Sequence, residues 1–259
     1  ADLGSYRGTL LPLKASGHTF AAEIDKQPSS WDNIEMRVDE NCYELRDLLR
    51  LGIHIGDFIA IDPQPDVMEN GYIVSRHLDD KAGVAVLLGS IKAVVDAGVE
   101  LPVDCHPLFT ISEEVGSGAS AVLHGDISEM LTLDNGTTAP GQNSREFGAT
   151  ICMADMSGPF DYHLTHRLLQ VCQEFEIPHQ RDIFRYYRCD SAAAVEAGND
   201  LRTALATFGV DASHGYERIH WNALDSLAQL VALYMQSPPL YERDREQRGS
   251  LTGFPTMPG

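Results

Sequence analysis

Acidic side chains stand next to each other in this sequence where they could act together in catalysis. The segment FTISEEVGSG, residues 109–118, places Glu113 and Glu114 directly after an apolar, β-prone run. Two adjacent carboxylates at the end of a buried strand are unfavourable, because like charges and burial both oppose ionisation. Successive side chains of a strand point to opposite faces, so the two glutamates are expected to point in different directions.

Other polar residues also follow predicted strands, and ligands of open α/β sheets gather at the carboxyl ends of strands. Singly, Asp80 could be a helix N-cap, Asp134 a turn residue and His220 a structural hydrogen bonder. Together they would form a negative pocket that a pair of divalent cations could neutralise, and carboxylates and imidazoles are ligands of zinc, cobalt and manganese. The strand-end residues outside residues 109–118 are Asp79, Asp80, Asp134, Asp190 and His220.

The composition limits the class of protein and its partners. At 259 residues the chain can form one large domain or two smaller ones. A net charge of -19, from 38 acidic and 19 basic residues, argues against nucleic acid or an anionic membrane as a partner. Five cysteines without a CxxC pair indicate reduced thiols in a cytoplasmic protein. No apolar run approaches the ~20 residues of a membrane span, and no secretory signal is visible.

The pattern of strands and helices changes near residue 72. Residues 1–72 carry three short strand-like segments, YRGTLLPL, WDNIEMRVD and DFIAIDP, and are expected to form a small β-rich domain. Residues 73–238 are expected to form an α/β domain, and the Gly- and Pro-rich residues 239–259 a loosely held tail.

In the second region strands alternate with amphipathic helices. This alternation predicts an α/β fold with a mixed sheet and helices on both faces. The predicted strands are IVSRHL, VDCHPLFTIS, MLTLDNG, GATICMAD, RDIFRYY and TALATFGV. The predicted helices are DKAGVAVLLGSIKAVVDAG, DYHLTHRLLQVCQEFE and NALDSLAQLVALYMQS.

Four motifs together carry a resemblance to a known family. In this order, RHLDDKAGVA, FTISEEVGSGAS, LTLDNGT and YERIH are similar to motifs of the dinuclear-metal aminopeptidases of the glutamyl aminopeptidase and TET group. The resemblance covers residues 1–238 and implies a zinc-exopeptidase-like fold with a small inserted β-rich domain that pairs subunits. The segment YRGTLLPLKASGHTF further resembles a subgroup linked to the osmoprotectant N-acetylglutaminylglutamine amide.

The resemblance also implies roles for individual residues around two divalent metal ions, with zinc or cobalt favoured and manganese as the alternative. It makes Asp79 the carboxylate that bridges the metals, and Glu113 the general base. Glu114 and His220 would be terminal ligands of one metal, and Asp134 a ligand of the other. In the wider clan the peptide bond after the bridging aspartate is cis, so a cis bond is expected between Asp79 and Asp80.

Four further residues are candidates for supporting the site or contacting substrate. Asp80 belongs to the DD pair, and Lys81 either steadies the acidic centre or only begins a surface helix. Asp190 could orient substrate or His220. His214 could line the pocket, although a loop histidine is an equally good interpretation.

One departure from the family is expected to matter. The family supplies a further ligand from a His-x-Asp motif that precedes its β-rich domain, and this sequence starts inside that domain. His77-Leu-Asp79 and His124-Gly-Asp126 have the same spacing, but we interpret His77 as a neighbour of the site rather than as the replacement. We therefore expect the sequence to be incomplete at its start; the alternative is a truncated protein with a crippled site.

Three functions follow from these observations. The first is a metal-dependent aminopeptidase that removes N-terminal residues from short peptides and self-associates to dimers or larger assemblies. The second is a deacylase or amidohydrolase of a small N-acylated dipeptide, which has no free α-amine. The third is a non-catalytic assembly protein, against which the presence of Glu113 argues because a metal-binding scaffold needs no base.

Overall fold

The computed structural model describes residues 3–241 and divides the chain into two compact units between Ile61 and Asp62. The sequence placed this boundary after residue 72, whereas two strands within residues 66–75 belong to the second unit. Most of the predicted tail, from residue 242 onward, lies outside the described residues.

The first unit is built on one small antiparallel sheet. Five residues of each strand are paired in register, from Gly8 opposite Val38 to Pro12 opposite Ile34. Its elements are β1 (Gly8–Pro12), α1 (Gly17–Phe20), 3-10 turns at Ala21–Lys26 and Trp31–Asn33, β2 (Ile34–Val38) and α2 (Leu45–Arg50).

Helix α2 begins at a capping box in which the side chains of Glu44 and Asp47 accept hydrogen bonds from each other's main-chain N–H groups. Gly52, with φ of +71°, turns the chain after the helix. The strand predicted for DFIAIDP, residues 57–63, is wrong. No described strand pairs with it, and Phe58 is fully exposed rather than packed on a sheet.

The second unit contains the remaining regular elements in α/β alternation. In chain order they are β3 (Asp66–Val67), β4 (Tyr72–Ser75), α3 (Leu78–Ala97), a 3-10 turn (Glu113–Val115), β5 (Glu129–Thr137), β6 (Ala149–Asp155), β7 (Gly158–Pro159), α4 (Tyr162–Glu174), β8 (His179–Ile183), α5 (Asp190–Glu196), β9 (Arg202–Val210), β10 (Glu217–His220) and α6 (Trp221–Met235).

The main sheet has the strand order β5-β9-β6-β7, with β8 also paired to β6. Strand β9 runs parallel to β5 and antiparallel to β6, and β8 runs parallel to β6, so the predicted mixed sheet is confirmed. A separate antiparallel sheet has the strand order β10-β4-β3. It brings β10, which precedes α6, beside β4, which leads into α3.

Helices cover the main sheet on both faces, as the sequence predicted. Ala204, Ala206 and Phe208 of β9 pack into a core shared with α3, α4 and α6. The intervening Leu205 faces a second, smaller core with Phe184 and with the cysteine before α5. This alternation along β9 is that of a strand buried on both faces.

Two segments of this unit differ from the sequence prediction. VDCHPLFTIS, residues 103–112, forms no strand; no described strand supplies a ladder partner, and Ile111 is fully exposed. The glutamates after it therefore stand on a 3-10 turn, not at a strand end. Helix α5 was not predicted, because seven residues are too few to show a helical period.

Candidate active site

Asp79 and Asp80 lie where β4 leads into α3. Both have non-helical dihedral angles, so the regular helix begins after Asp80, and the peptide bond between them is cis, as the resemblance implied. Asp80 Oδ1 accepts a hydrogen bond from the N–H of Gly83 at 3.2 Å, which is the behaviour of a helix N-cap. The Asp79 side chain is only 5% exposed.

Asp79 belongs to two groups of ligand-type atoms. In the first group, Nε2 of His214 lies 3.3 Å from Asp79 Oδ2 and 3.4 Å from Glu114 Oε2. In the second, one carboxylate oxygen each of Asp79, Asp80 and Asp134 lie within 4.8 Å of one another. A side chain shared by two such groups is in the position expected of a carboxylate that bridges two cations.

Asp134 lies near the carboxyl end of β5 and is buried. Its Oδ1 accepts hydrogen bonds from the main-chain N–H of Asn135 at 2.6 Å and from the Asn135 amide at 3.3 Å. The Tyr187 hydroxyl is buried close to the Asp134 carboxylate. Burial, followed by the charge of Asp134, raises the pKa of Tyr187. Strand β5 thus places the Asp134 carboxylate beside that of Asp79.

Glu113 and Glu114 occupy the 3-10 turn and have different surroundings. Glu114 is exposed and faces His214, whereas Glu113 is half-buried. Burial, then the charges of Asp190, Glu114 and Asp79, raise the pKa of Glu113 to about 7. A carboxyl group with a pKa near neutrality is suited to take up and release a proton, as a general base must.

Asp190 holds the segment that carries these glutamates. Its buried carboxylate accepts hydrogen bonds from the Thr110 hydroxyl at 2.6 Å and from the N–H of Ala119 at 3.0 Å. A Cβ atom on Gly118 would come within 2.5 Å of the Asp190 carboxylate, so this residue must be small. Asp190 therefore fixes the segment that carries the glutamates. The sequence suggested that it could orient His220, but His220 is not among the described hydrogen-bond partners of Asp190.

The structure does not bring His220 into either group. Its Nε2 lies 3.1 Å from the carbonyl oxygen of Asn70, and its Nδ1 accepts the N–H of Asn222 at 3.0 Å as the N-cap of α6. Its ring packs against Tyr72 and Phe147. His220 ends β10 and turns toward strand β4, whereas His214, in the loop before β10, reaches the carboxylates.

The other candidates take no part in these two groups of side chains. Lys81 is exposed in the first turn of α3. His77 is exposed and precedes the helix in a left-handed conformation, consistent with its interpretation as a neighbour of the site. His124 packs its ring beside His106.

The described side chains fit a pair of divalent cations. Oδ2 of Asp79 is buried and accepts no hydrogen bond from the described residues. Burial and the charge of Glu114 raise the pKa of Asp79 to about 6. Burial and neighbouring carboxylates likewise raise the pKa of Asp80 and of Asp134 well above the usual range. Without a counter-ion, these neighbouring carboxyl groups oppose one another's ionisation. Bound cations would favour their ionised forms instead.

One functional residue was missed by sequence reasoning. Glu217 is fully buried in β10, and its carboxylate accepts hydrogen bonds from the main-chain N–H groups of Leu78, Asp79 and His214. The signal was present in YERIH, since an acid inside a short buried strand requires hydrogen-bond partners. Two of those partners, Leu78 and Asp79, lie on a distant segment that only the fold brings near.

Known proteins are similar to this chain in sequence and in fold. YhfE of Bacillus subtilis (strain 168), which is named as a proposed aminopeptidase, is 38% identical over 233 residues, 90% of this chain and 67% of the relative. A TET aminopeptidase from a marine sediment Thaumarchaeota archaeon has a similar fold, with a TM-score of 0.73 at 18% identity over 88% of this chain and 66% of that one. The chain thus spans about two thirds of the length of these two relatives.

A third similar protein is the TET1 peptidase of Pyrococcus horikoshii, whose structure is described as a tetrahedron or a large octahedral shell. It matches with a TM-score of 0.73 at 22% identity over 90% of this chain and 72% of that one. Within residues 3–241, no helix has the length and apolar character to cross a membrane.

The model of one protein family, the M42 glutamyl aminopeptidases, matches residues 1–230. This match extends over both units and includes every residue of the two groups around Asp79. The chain belongs to the M42 glutamyl aminopeptidase family, whose class is that of metal-dependent aminopeptidases.

Proposed function

We propose that this protein removes N-terminal residues from short peptides by two-metal hydrolysis at the site around Asp79. The observation that carries the proposal is the shared position of Asp79 in two groups of ligand-type atoms, with a buried Oδ2 that lies 3.3 Å from His214 Nε2. Asp79 would bridge the cations, Glu114 and His214 would hold one, and Asp80 and Asp134 the other.

The chemistry divides between the cations and the protein. When bound, two divalent ions would acidify water and polarise the scissile carbonyl. Glu113 takes the proton from the attacking water, because its carboxylate stands next to Glu114 on the same turn and is not one of the grouped ligand atoms. The same carboxyl group then delivers the proton to the departing amine.

His214 replaces His220 in this assignment. The resemblance pointed to His220, but that imidazole is engaged with Asn70 and Asn222. The His214 ring faces both Asp79 and Glu114. Zinc or cobalt is favoured for the mixed carboxylate and imidazole set, with manganese as the alternative.

The proposal extends to assembly and location. By analogy with the shells described for the Pyrococcus protein, we propose that the chain self-associates to dimers or larger particles. Its net charge of -19 disfavours nucleic acid and anionic membranes as partners, and its five free cysteines fit a cytoplasmic location.

A substrate panel tests the activity. Full-length protein freed of metal with a chelator is loaded with zinc, cobalt or manganese and assayed on dipeptides with a free α-amine and on their N-acetylated counterparts. We expect cleavage of the free-amine substrates only, abolished by the chelator and by Glu113→Gln. Exclusive cleavage of the N-acetylated substrates would instead identify a deacylase of an N-acyl dipeptide, as the osmoprotectant resemblance suggests. Absence of any hydrolysis with every metal would refute both.

A further inference from the structure

Glu217 is a fully buried carboxylate that accepts hydrogen bonds from three main-chain N–H groups of the described residues. Its Oε2 accepts from Leu78 at 2.6 Å and from Asp79 at 3.1 Å, and its Oε1 accepts from His214 at 3.1 Å. One side chain thus holds two segments that meet only through the fold. Leu78 is 139 positions away in sequence, whereas His214 is three positions away.

The loop that carries His214 needs such support. Ala212 and His214 both adopt left-handed backbone conformations, with φ of +58° and +64°. A residue other than glycine adopts this conformation at an energetic cost and keeps it where its surroundings enforce it. The hydrogen bond from the His214 N–H to Glu217 is one such constraint, and it acts on the residue whose imidazole faces Asp79.

We infer that Glu217 is the positioning residue that fixes the His214 imidazole against Asp79, and that it thereby sets the affinity of the site for a divalent cation. Its single carboxylate accepts hydrogen bonds from the main-chain N–H of Asp79 and from that of His214, the two residues whose side chains face each other. This inference rests on the proposed function, because it requires the group around Asp79 to bind metal. It assigns Glu217 no contact with the metal or the substrate.

Metal binding measured without turnover tests the inference. Full-length protein freed of metal is titrated with Zn²⁺ by calorimetry and with Co²⁺ by visible absorption, which reports on ligand geometry. In Glu217→Gln one oxygen becomes an NH₂ group that cannot accept a main-chain N–H. We expect about 10- to 100-fold weaker binding and an altered Co²⁺ spectrum, the range typical of residues that orient metal ligands.

Glu129→Gln is the matched control. Glu129 also accepts one main-chain N–H, from Leu240 at 2.6 Å, and the Tyr234 hydroxyl at 2.8 Å, and it is not one of the residues grouped around Asp79. We expect this variant to bind Zn²⁺ and Co²⁺ as the unmodified protein does. Far-UV circular dichroism establishes that each variant is folded before titration. If Glu217→Gln does not fold, Glu217→Asp retains the charge with a shorter reach and is expected to weaken binding as well.

A double-mutant comparison isolates the route through His214. If Glu217 acts by positioning this imidazole, Glu217→Gln should cost much less affinity in a His214→Ala background than in the unmodified protein. Equal losses in both backgrounds, or unmodified affinity in folded Glu217→Gln or Glu217→Asp, would overturn the inference and leave the proposed function standing. Failure of the unmodified protein to bind Zn²⁺ or Co²⁺ would overturn the proposed function and the inference together.

Discussion

The carboxylate of Asp190 accepts a hydrogen bond from the Thr110 hydroxyl at 2.6 Å, although the two residues lie 80 positions apart. Through this bond and a second from the N–H of Ala119, the start of α5 holds both ends of the turn that carries the paired glutamates. The position of Glu113 and Glu114 is therefore set from outside their own segment.

Asp190→Ala should lower both stability and turnover. Loss of the acceptor leaves the Thr110 hydroxyl and a buried N–H without a partner, at about 1–3 kcal/mol for each buried group, and frees the glutamate turn. Urea unfolding and kcat measure the two effects. Asp182→Ala is the control, because Asp182 also accepts main-chain N–H groups, from Asn143 and Ser144, on edge strand β8. It should lose stability but keep kcat; equal losses of kcat in both variants would contradict this account.

The two glutamates should differ by mechanism. Glu113→Gln removes the proton acceptor and keeps the shape, so turnover should fall by about 10²–10⁴-fold with little change in KM and in metal binding. Glu114→Gln removes a charged ligand, so it should weaken metal binding first, and added metal should partly restore its activity. Steady-state kinetics across a metal titration separates these outcomes. An active Glu113→Gln, or rescue of both variants by metal, would show that the division of tasks is wrong.

His214 and His220 should respond differently to truncation. His214→Ala removes the imidazole that faces Asp79 and Glu114 and should weaken Zn²⁺ binding. His220→Ala removes the N-cap acceptor of α6 and should cost about 0.5–2 kcal/mol of stability while leaving Zn²⁺ affinity unchanged. Calorimetric titration and thermal unfolding check the pair. The reverse pattern would restore the assignment that the sequence resemblance implied.

The stability of the metal-free protein should fall as the pH rises through the range 6–7. The folded pKa values of Asp79, about 6, and of Glu113, about 7, lie above ordinary carboxyl values. Groups of this kind favour the folded state while protonated, and they lose that contribution as the pH passes their folded pKa. Bound metal requires the deprotonated ligands, so its stabilising effect should grow with pH. Melting temperatures with chelator and with Zn²⁺, from pH 5.5 to pH 8, should diverge; parallel curves would contradict this.

Much of the fold followed from sequence patterns, because helices such as α4 and α6 show an amphipathic period and β9 is a largely apolar run. The strands predicted at residues 57–63 and 103–112 failed for a common reason. Apolar, β-prone residues give a strand only where a neighbouring strand supplies a ladder, and the sequence does not show that partner.

The site was predictable in its chemistry and only partly in its geometry. Asp79 lies near Glu114 in one group and near Asp134 in the other. Asp79 and Asp134 stand after and within strands that the sequence located, whereas the strand predicted before Glu114 does not form. The resemblance favoured His220, the last residue of β10, whereas the structure places the ring of His214, in the loop before β10, against Asp79 and Glu114. Glu217 escaped notice because its role depends on main-chain donors that carry no sequence signature.

The position of β9 between β5 and β6 has a consequence for synthesis. β5 and β6 follow each other along the chain but touch different sides of a strand that ends only at Val210. On the ribosome, β6 can pair with β7 and β8 first, but β5 has no partner in the main sheet until β9 is made, so this sheet is completed late. Non-local pairing of this kind slows folding and leaves nascent chains open to aggregation.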